Sequence, residues 1–258
     1  VRIGIFQSDC AGLTPEQRVS KLAQAIRSAN VDLLVCPELF LSGYNAGNLI
    51  PEYAETPSGQ YATQIEAIAK ASSTAIVYGY PEQHADALYN SAGCIDANGQ
   101  PIANHRKLML PPGFESNYFV AGNHSTVFEL FGFKVALLIC YDAEYPETVR
   151  QMALAGAQLV IVPTALASQW GVVSEKLIPT RAFENGVWVA YANHAGQENG
   201  LSYYGGSCIV TPEGIDAARA DSTECVIQAK LDLDSVLAAQ ERLPYLQGVT
   251  DLRNKLSK

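Results

Sequence analysis

With 258 residues, 48% of them hydrophobic and 17% charged, the chain can bury a full core, and its composition excludes a disordered polymer. Seventeen basic against 26 acidic residues leave a formal charge of −9, which argues against nucleic acid and membrane surfaces as partners. No apolar run reaches the length of a bilayer span, and Val1-Arg2-Ile3-Gly4-Ile5-Phe6 begins as a strand without a signal-peptide layout, so the expected location is cytoplasmic.

In chain order, residues 2–6 read as a strand. Thr14-Pro15-Glu16-Gln17 is a capping box with proline at the first helical position, ahead of a helix with Val19, Leu22, Ala23 and Ile26 on one face. A strand over 31–36, a helix over about 59–72 and a strand over 75–80 follow, so the opening order is β-α-β-α-β. Residues 91–96 and 101–107, joined by Asn98-Gly99, predict a hairpin, and 125–130 another strand. Then come a strand over 134–140, a helix to about 155, a strand over 158–163, a helix over about 174–186 and a strand over 187–193. Two last strands, 206–210 and 225–231, flank the turn Pro212-Glu213-Gly214. No linker or repeat interrupts this order, which predicts a single α/β domain over 1–258 with two sheets packed face to face and helices outside them.

The cysteines, Cys10, Cys36, Cys94, Cys140, Cys208 and Cys225, form no C-x-x-C pair, which argues against a zinc site or a redox dithiol. Several lie in strand-like runs, so disulfides are not expected. Cys140 differs in position. It ends an apolar strand and is followed by Asp142 and Glu144 where a helix is expected to begin, with Tyr145, Val149, Met152 and Ala153 at helical spacing. A thiol on a strand-to-helix turn is well placed for nucleophilic attack, although an inert buried thiol fits the segment equally.

A thiol with a pKa of about 8.5 needs a base or a cation beside it. His84, His105, His124 and His194 lie in no cysteine-protease context, which directs attention to charged groups at strand ends. Glu38, after Pro37, closes an apolar strand; Lys107 closes another, and Glu115 follows it by eight residues. Taken singly, each has a plain alternative as a solvated surface charge.

Together, Pro37-Glu38-Leu39-Phe40, His105-Arg106-Lys107-Leu108 with Glu115, and Cys140-Tyr141-Asp142-Ala143-Glu144-Tyr145-Pro146-Glu147 resemble the nitrilase superfamily of carbon–nitrogen hydrolases. Arg181-Ala182-Phe183-Glu184-Asn185 and Gly206-Ser207 are similar to that family too, so the resemblance covers nearly the whole chain. It implies a four-layer αββα sandwich, a homodimer or higher homo-oligomer, and no metal or organic cofactor. It also implies Cys140 as nucleophile, Glu38 as general acid and base, Lys107 as oxyanion cation and Glu115 as the acid that holds the lysine. Tyr141 would lend a backbone N–H as a second oxyanion donor. Lys107 beside the thiol is expected to favour the thiolate. Arg181 with Glu184, and Glu144 with Arg150, are expected as structural ion pairs.

The segment from Lys107 to Phe119 with Gly122, and Arg242-Leu243-Pro244-Tyr245-Leu246, are most similar to amidases acting on small carboxamides. The expected substrates are therefore a small amide and water, with Phe114, Tyr118, Tyr141, Ala165 and Trp170 as candidate pocket walls. N-carbamoyl or nitrile hydrolysis would use the same residues. A non-catalytic scaffold is the remaining alternative, and it gives no physical reason to keep an acid, a cation and a thiol together.

Overall fold

The computed structural model describes residues 1–9 and 11–256, so Cys10 lies outside the described residues. In chain order the strands of the first sheet are β1 (Arg2–Gln7), β2 (Leu33–Val35), β3 (Ala75–His84), β4 (Ala87–Ile95) and β5 (Pro101–Arg106). Those of the second are β6 (Thr126–Leu130), β7 (Phe133–Leu137), β8 (Leu159–Pro163) and β9 (Trp188–Ala192), while β10 (Gln197–Glu198) and β11 (Leu201–Ser202) form a small ribbon. β12 (Cys208–Val210) and β13 (Asp216–Arg219) complete the second sheet, and β14 (Cys225–Lys230) returns to the first. The orders are β14-β1-β2-β3-β4-β5 and β13-β12-β9-β8-β7-β6, two six-stranded sheets of similar plan.

Alternation along the strands explains the layering. Ile3, Ile5, Leu33, Val35, Ala75 and Val77 of the first sheet meet Val135, Leu137, Leu159, Ile161 and Ala190 of the second in one shared core. The intervening residues face outward. Leu34, Ile76 and Tyr78 pack under α1 (Pro15–Ser28) and α3 (Gln60–Ser72), whose intervening chain holds the short α2 (Leu49–Glu52). Beyond the one-turn α4 (Glu115–Tyr118), Val160, Val162, Val189 and Tyr191 pack under α5 (Pro146–Leu154) and α6 (Ile178–Asn185). The αββα layering expected from sequence is thus present. The capping box forms as expected: Thr14 Oγ1 accepts from the Gln17 N–H at 3.4 Å, and Gln17 Oε1 from the Thr14 N–H at 2.9 Å.

Three expectations need correction. The helix after Cys140 starts at Pro146, not at Asp142, because residues 140–144 form a tight 3₁₀ turn and Asp142 turns its carboxylate back onto the Ile139 N–H. β13 was not anticipated; it pairs with β12 through a register shift at Ile209/Val210, and its four residues, two alanines between Asp216 and Arg219, carry no apolar alternation. Two C-terminal helices, α7 (Leu233–Arg242) and α8 (Tyr245–Leu256), also escaped the sequence, although Asp232 caps the first and Pro244 separates them. Among the described residues no helix is long and apolar enough to cross a membrane.

Candidate active site

β2, β3 and β5 run in one direction within the first sheet, and β7, β8 and β9 run parallel in the second, so their carboxyl ends gather loops from both sheets. Glu38 leaves the end of β2. Its backbone is held from the other sheet: the Glu38 N–H donates to Thr164 O at 3.3 Å, and His194 Nε2 contacts Glu38 O at 2.7 Å. Burial pulls the His194 pKa down to about 4, so near neutral pH the ring is uncharged and the contact is an Nε2–H donating to the carbonyl. The loop lies flat on β3 because position 79 has no side chain. A Cβ on Gly79 would sit 2.6 Å from Pro37 O and 2.8 Å from Glu38 C.

Lys107 follows β5, its N–H bonded to Asn90 O at 2.8 Å and its carbonyl accepting from the Gly122 N–H at 2.7 Å. The ammonium is fully buried and donates to Glu38 Oε1 at 2.6 Å and to both oxygens of Glu115 at 2.7 and 2.9 Å. Asn90 Nδ2 bridges the same two acids, at 2.7 Å to Glu38 Oε1 and 3.2 Å to Glu115 Oε2. The Tyr44 hydroxyl donates to Glu115 Oε1 at 2.6 Å, and burial with the neighbouring acids keeps that phenol protonated. Glu38 Oε2 is buried and accepts no hydrogen bond from the described residues.

Cys140 opens the 3₁₀ turn with φ of +45°, a left-handed conformation that a non-glycine residue adopts only when its surroundings enforce it. The Thr164 side chain and the Ala165 backbone favour the ionised form of the thiol, which lies within electrostatic reach of Glu38 and Lys107. Arg181 braces the turn from outside, donating to Ala143 O at 3.2 Å and Glu144 O at 2.6 Å.

One buried ammonium therefore serves two buried carboxylates. Burial, with Glu115 adding to it, lifts the Glu38 pKa to about 7 against the pull of Lys107 and Asn90. Burial disfavours the charge on Lys107, but Glu38, Cys140 and Glu115 outweigh it and hold the lysine protonated. At Cys140 burial and the Glu38 charge push the thiol well above its ordinary value, and Lys107 only partly offsets them. The expectation that Lys107 favours the thiolate thus captures one of several influences, and burial together with Glu38 outweighs it and favours the protonated thiol.

The pocket-wall candidates divide. Ala165, Phe114 and Tyr118 share an apolar cluster with Leu39, Tyr44, Ile50, Phe119 and Tyr203, in which the Phe114 ring meets Tyr44 edge-on at 5.0 Å. Tyr141 stacks edge-on against Tyr145 at 5.0 Å, within and just after the Cys140 turn. Trp170 is 57% exposed on a 3₁₀ turn at Ser168–Trp170 and does not join that cluster. Arg181 pairs with Glu184 at 3.0 Å as expected, but Arg150 reaches Glu184 at 3.9 Å in place of Glu144. Asn90, Tyr44, Thr164 and His194 were missed. The only sequence signal for them was a polar residue inside or just after an apolar strand, as at Asn90 in β4 and His194 beyond β9.

The carbon-nitrogen hydrolase family profile matches residues 10–241. A protein of Pseudomonas protegens named "Hydrolase in pqqF 5'region" is 42% identical over 236 residues, spanning 90% of this chain and 83% of that one. An (R)-stereoselective amidase from a Pseudomonas species is 34% identical over 226 residues, spanning 87% and 82% respectively. Among solved structures, an amidase variant from Nesterenkonia sp. AN1, carrying the acetamide moiety of fluoroacetamide on its active-site cysteine, superposes with a TM-score of 0.88 at 31% identity, covering 98% of this chain and 96% of that one. On the span of the profile match and these identities, the chain belongs to the carbon-nitrogen hydrolase family.

Proposed function

We propose that this chain is an amidase that cleaves the C–N bond of small carboxamides, with Cys140 as nucleophile, Glu38 as general acid and base, and Lys107 as the oxyanion cation. The observation that carries the reading is the fully buried Lys107 ammonium, bound to Glu38 and Glu115 within reach of the Cys140 thiol. A scaffold gains little from burying three charged groups and a strained cysteine together. The amidase names of relatives and the cysteine adduct of the Nesterenkonia amidase support the same chemistry.

In this reading the ionised Glu38 takes the proton from Cys140 as sulfur attacks the amide carbonyl carbon. Lys107 and the Tyr141 backbone N–H receive the developing oxyanion, and loss of one such donor costs on the order of 3 kcal/mol of transition-state stabilisation. Glu38 returns the proton to the departing nitrogen, so ammonia leaves and a thioester remains. It then takes a proton from water, which attacks the thioester carbonyl; collapse expels sulfur, releases the carboxylic acid and restores the thiol. Glu115 and Tyr44 hold the ammonium in place throughout, and Phe114, Tyr118 and Ala165 form the apolar wall beside the acyl group.

Purified protein incubated with a panel of small amides should release ammonia, and Cys140→Ala should release none. Equal release by both proteins would end the reading. Carbon dioxide from a carbamoyl compound, or acid from a nitrile, would move the assignment to another branch of the family.

We further propose a cytoplasmic homodimer. Cys94, Cys140, Cys208 and Cys225 are free thiols, which suits a reducing compartment. Phe183, Leu243, Tyr245 and Leu252 gather as exposed apolar groups on α6, α8 and the link before α8, a surface suited to a second copy. Light scattering on the purified chain should give twice the monomer mass; a monomer at micromolar concentration would contradict this part of the proposal.

A further inference from the structure

Asp142, two residues after the nucleophile, is fully buried; its carboxylate closes the 3₁₀ turn at 140–144, and among the described residues no lysine or arginine pairs with it. Its carboxylate spans two chain segments. Oδ1 accepts the backbone N–H of Leu108 at 3.1 Å and of Met109 at 2.8 Å, the two residues directly after Lys107. Oδ2 accepts the Ile139 N–H at 3.0 Å, directly before Cys140, and lies 3.4 Å from His105 Nε2, two residues before Lys107. The Asp142 backbone is fixed as well: its N–H donates to Ile139 O at 3.0 Å, and its carbonyl accepts from the Thr148 hydroxyl. His105 is itself anchored, with Nδ1 3.1 Å from Thr126 Oγ1.

Every partner of this carboxylate flanks either Lys107 or Cys140, and the two flanked residues belong to different sheets. We infer that Asp142 is a positioning residue: its carboxylate staples the lysine-bearing strand end to the cysteine turn and so sets the alignment of ammonium and sulfur. A carboxylate is the side chain this needs, because both of its oxygens only accept and three backbone N–H groups converge on it. Asparagine would turn an NH₂ toward one set of those donors. The same staple closes the turn on both sides of Cys140 and helps to enforce its left-handed backbone.

The inference rests on the roles proposed for Cys140 and Lys107, and its test separates the two. Steady-state ammonia release and the rate of Cys140 alkylation by iodoacetamide are to be measured for the wild type, Asp142→Asn, Lys107→Gln and the double variant. Misplacement of reacting groups by about 1 Å can cost on the order of 100-fold, so Asp142→Asn should lower kcat by about that factor while KM changes less than about threefold. Alkylation should slow in the single variant, yet change less than about threefold when Asp142→Asn is added to Lys107→Gln, because the alignment being lost no longer matters there.

An unchanged kcat in Asp142→Asn, or the same fractional loss of alkylation rate in both backgrounds, would overturn the inference. Should a variant fail to fold, amide exchange on the wild type decides. The Leu108, Met109 and Ile139 amides should be as protected as Val135 in the core of β7, and exchange at exposed-loop rates would overturn the staple. Ammonia release by Cys140→Ala would sink the nucleophile assignment, a result distinct from any of these.

Discussion

The proposed mechanism makes the Glu38 carboxyl a base while the fold keeps it buried, and its raised pKa links the two. Only the ionised form can take the thiol proton, so kcat/KM should rise with pH through an apparent pKa of about 7, and Glu38→Gln should lose this limb with the activity. For stability the sign is opposite. With a folded value of about 7 against an ordinary 4.5, the neutral carboxyl is the form that favours the fold, and that contribution is lost as pH rises from 4.5 through 7. The difference corresponds to at most about 3 kcal/mol. Melting curves at pH 5 and pH 8 should therefore show Glu38→Gln gaining on the wild type at the higher pH; a constant difference would contradict the burial account. Glu38, Lys107, Glu115 and Cys140 were legible in the sequence because three short motifs carry them in order. Asn90, Tyr44, Thr164 and His194 were not, since each acts through contacts with residues 24 or more positions away and looks alone like an ordinary strand or loop polar group.

Among the elements, the turn at 140–144 matters most, and it is where periodicity misled. The spacing of Tyr145, Val149, Met152 and Ala153 correctly announced an amphipathic helix, but the acids at 142 and 144 suggested a start one turn too early. Asp142 is engaged by tertiary partners, which sequence spacing does not reveal. Arg181 supports the same turn from α6, so Arg181→Gln should leave two carbonyls without their charged donor and cost about 1.5–3 kcal/mol in urea titration. On the opposite sheet, Gly79→Ala should displace the Glu38 loop. Overpacking of this kind costs about 1–3 kcal/mol, and activity should fall further than stability because the displaced segment carries the proposed base. A Gly79→Ala protein with wild-type kcat would show that the loop tolerates the shift. The hairpin of β4 and β5 was readable from Asn98-Gly99, whereas β13, two alanines between Asp216 and Arg219, shows no apolar alternation.

Across the whole molecule, the alternation of buried residues made the two sheets and their outer helices readable, because each central strand must satisfy a core on both faces. What alternation could not give was the C-terminal pair α7 and α8, amphipathic helices that lie at the edge of this core. We propose that 1–258 is one cooperative unit, since the inter-sheet core draws on strands from β1 to β12. Ile161→Ala at its centre should lower stability by about 2–5 kcal/mol in a single transition seen alike by circular dichroism and by fluorescence, while two separate transitions would divide the chain into independent units. All of these features converge on one claim, that the pocket between the sheets passes an acyl group through sulfur. Rapid acid quench of the enzyme during turnover of a small amide, followed by peptide mass mapping, tests it most directly. The account predicts an acyl mass increment confined to the peptide bearing Cys140; ammonia release with no increment there, or with one on another residue, would contradict it.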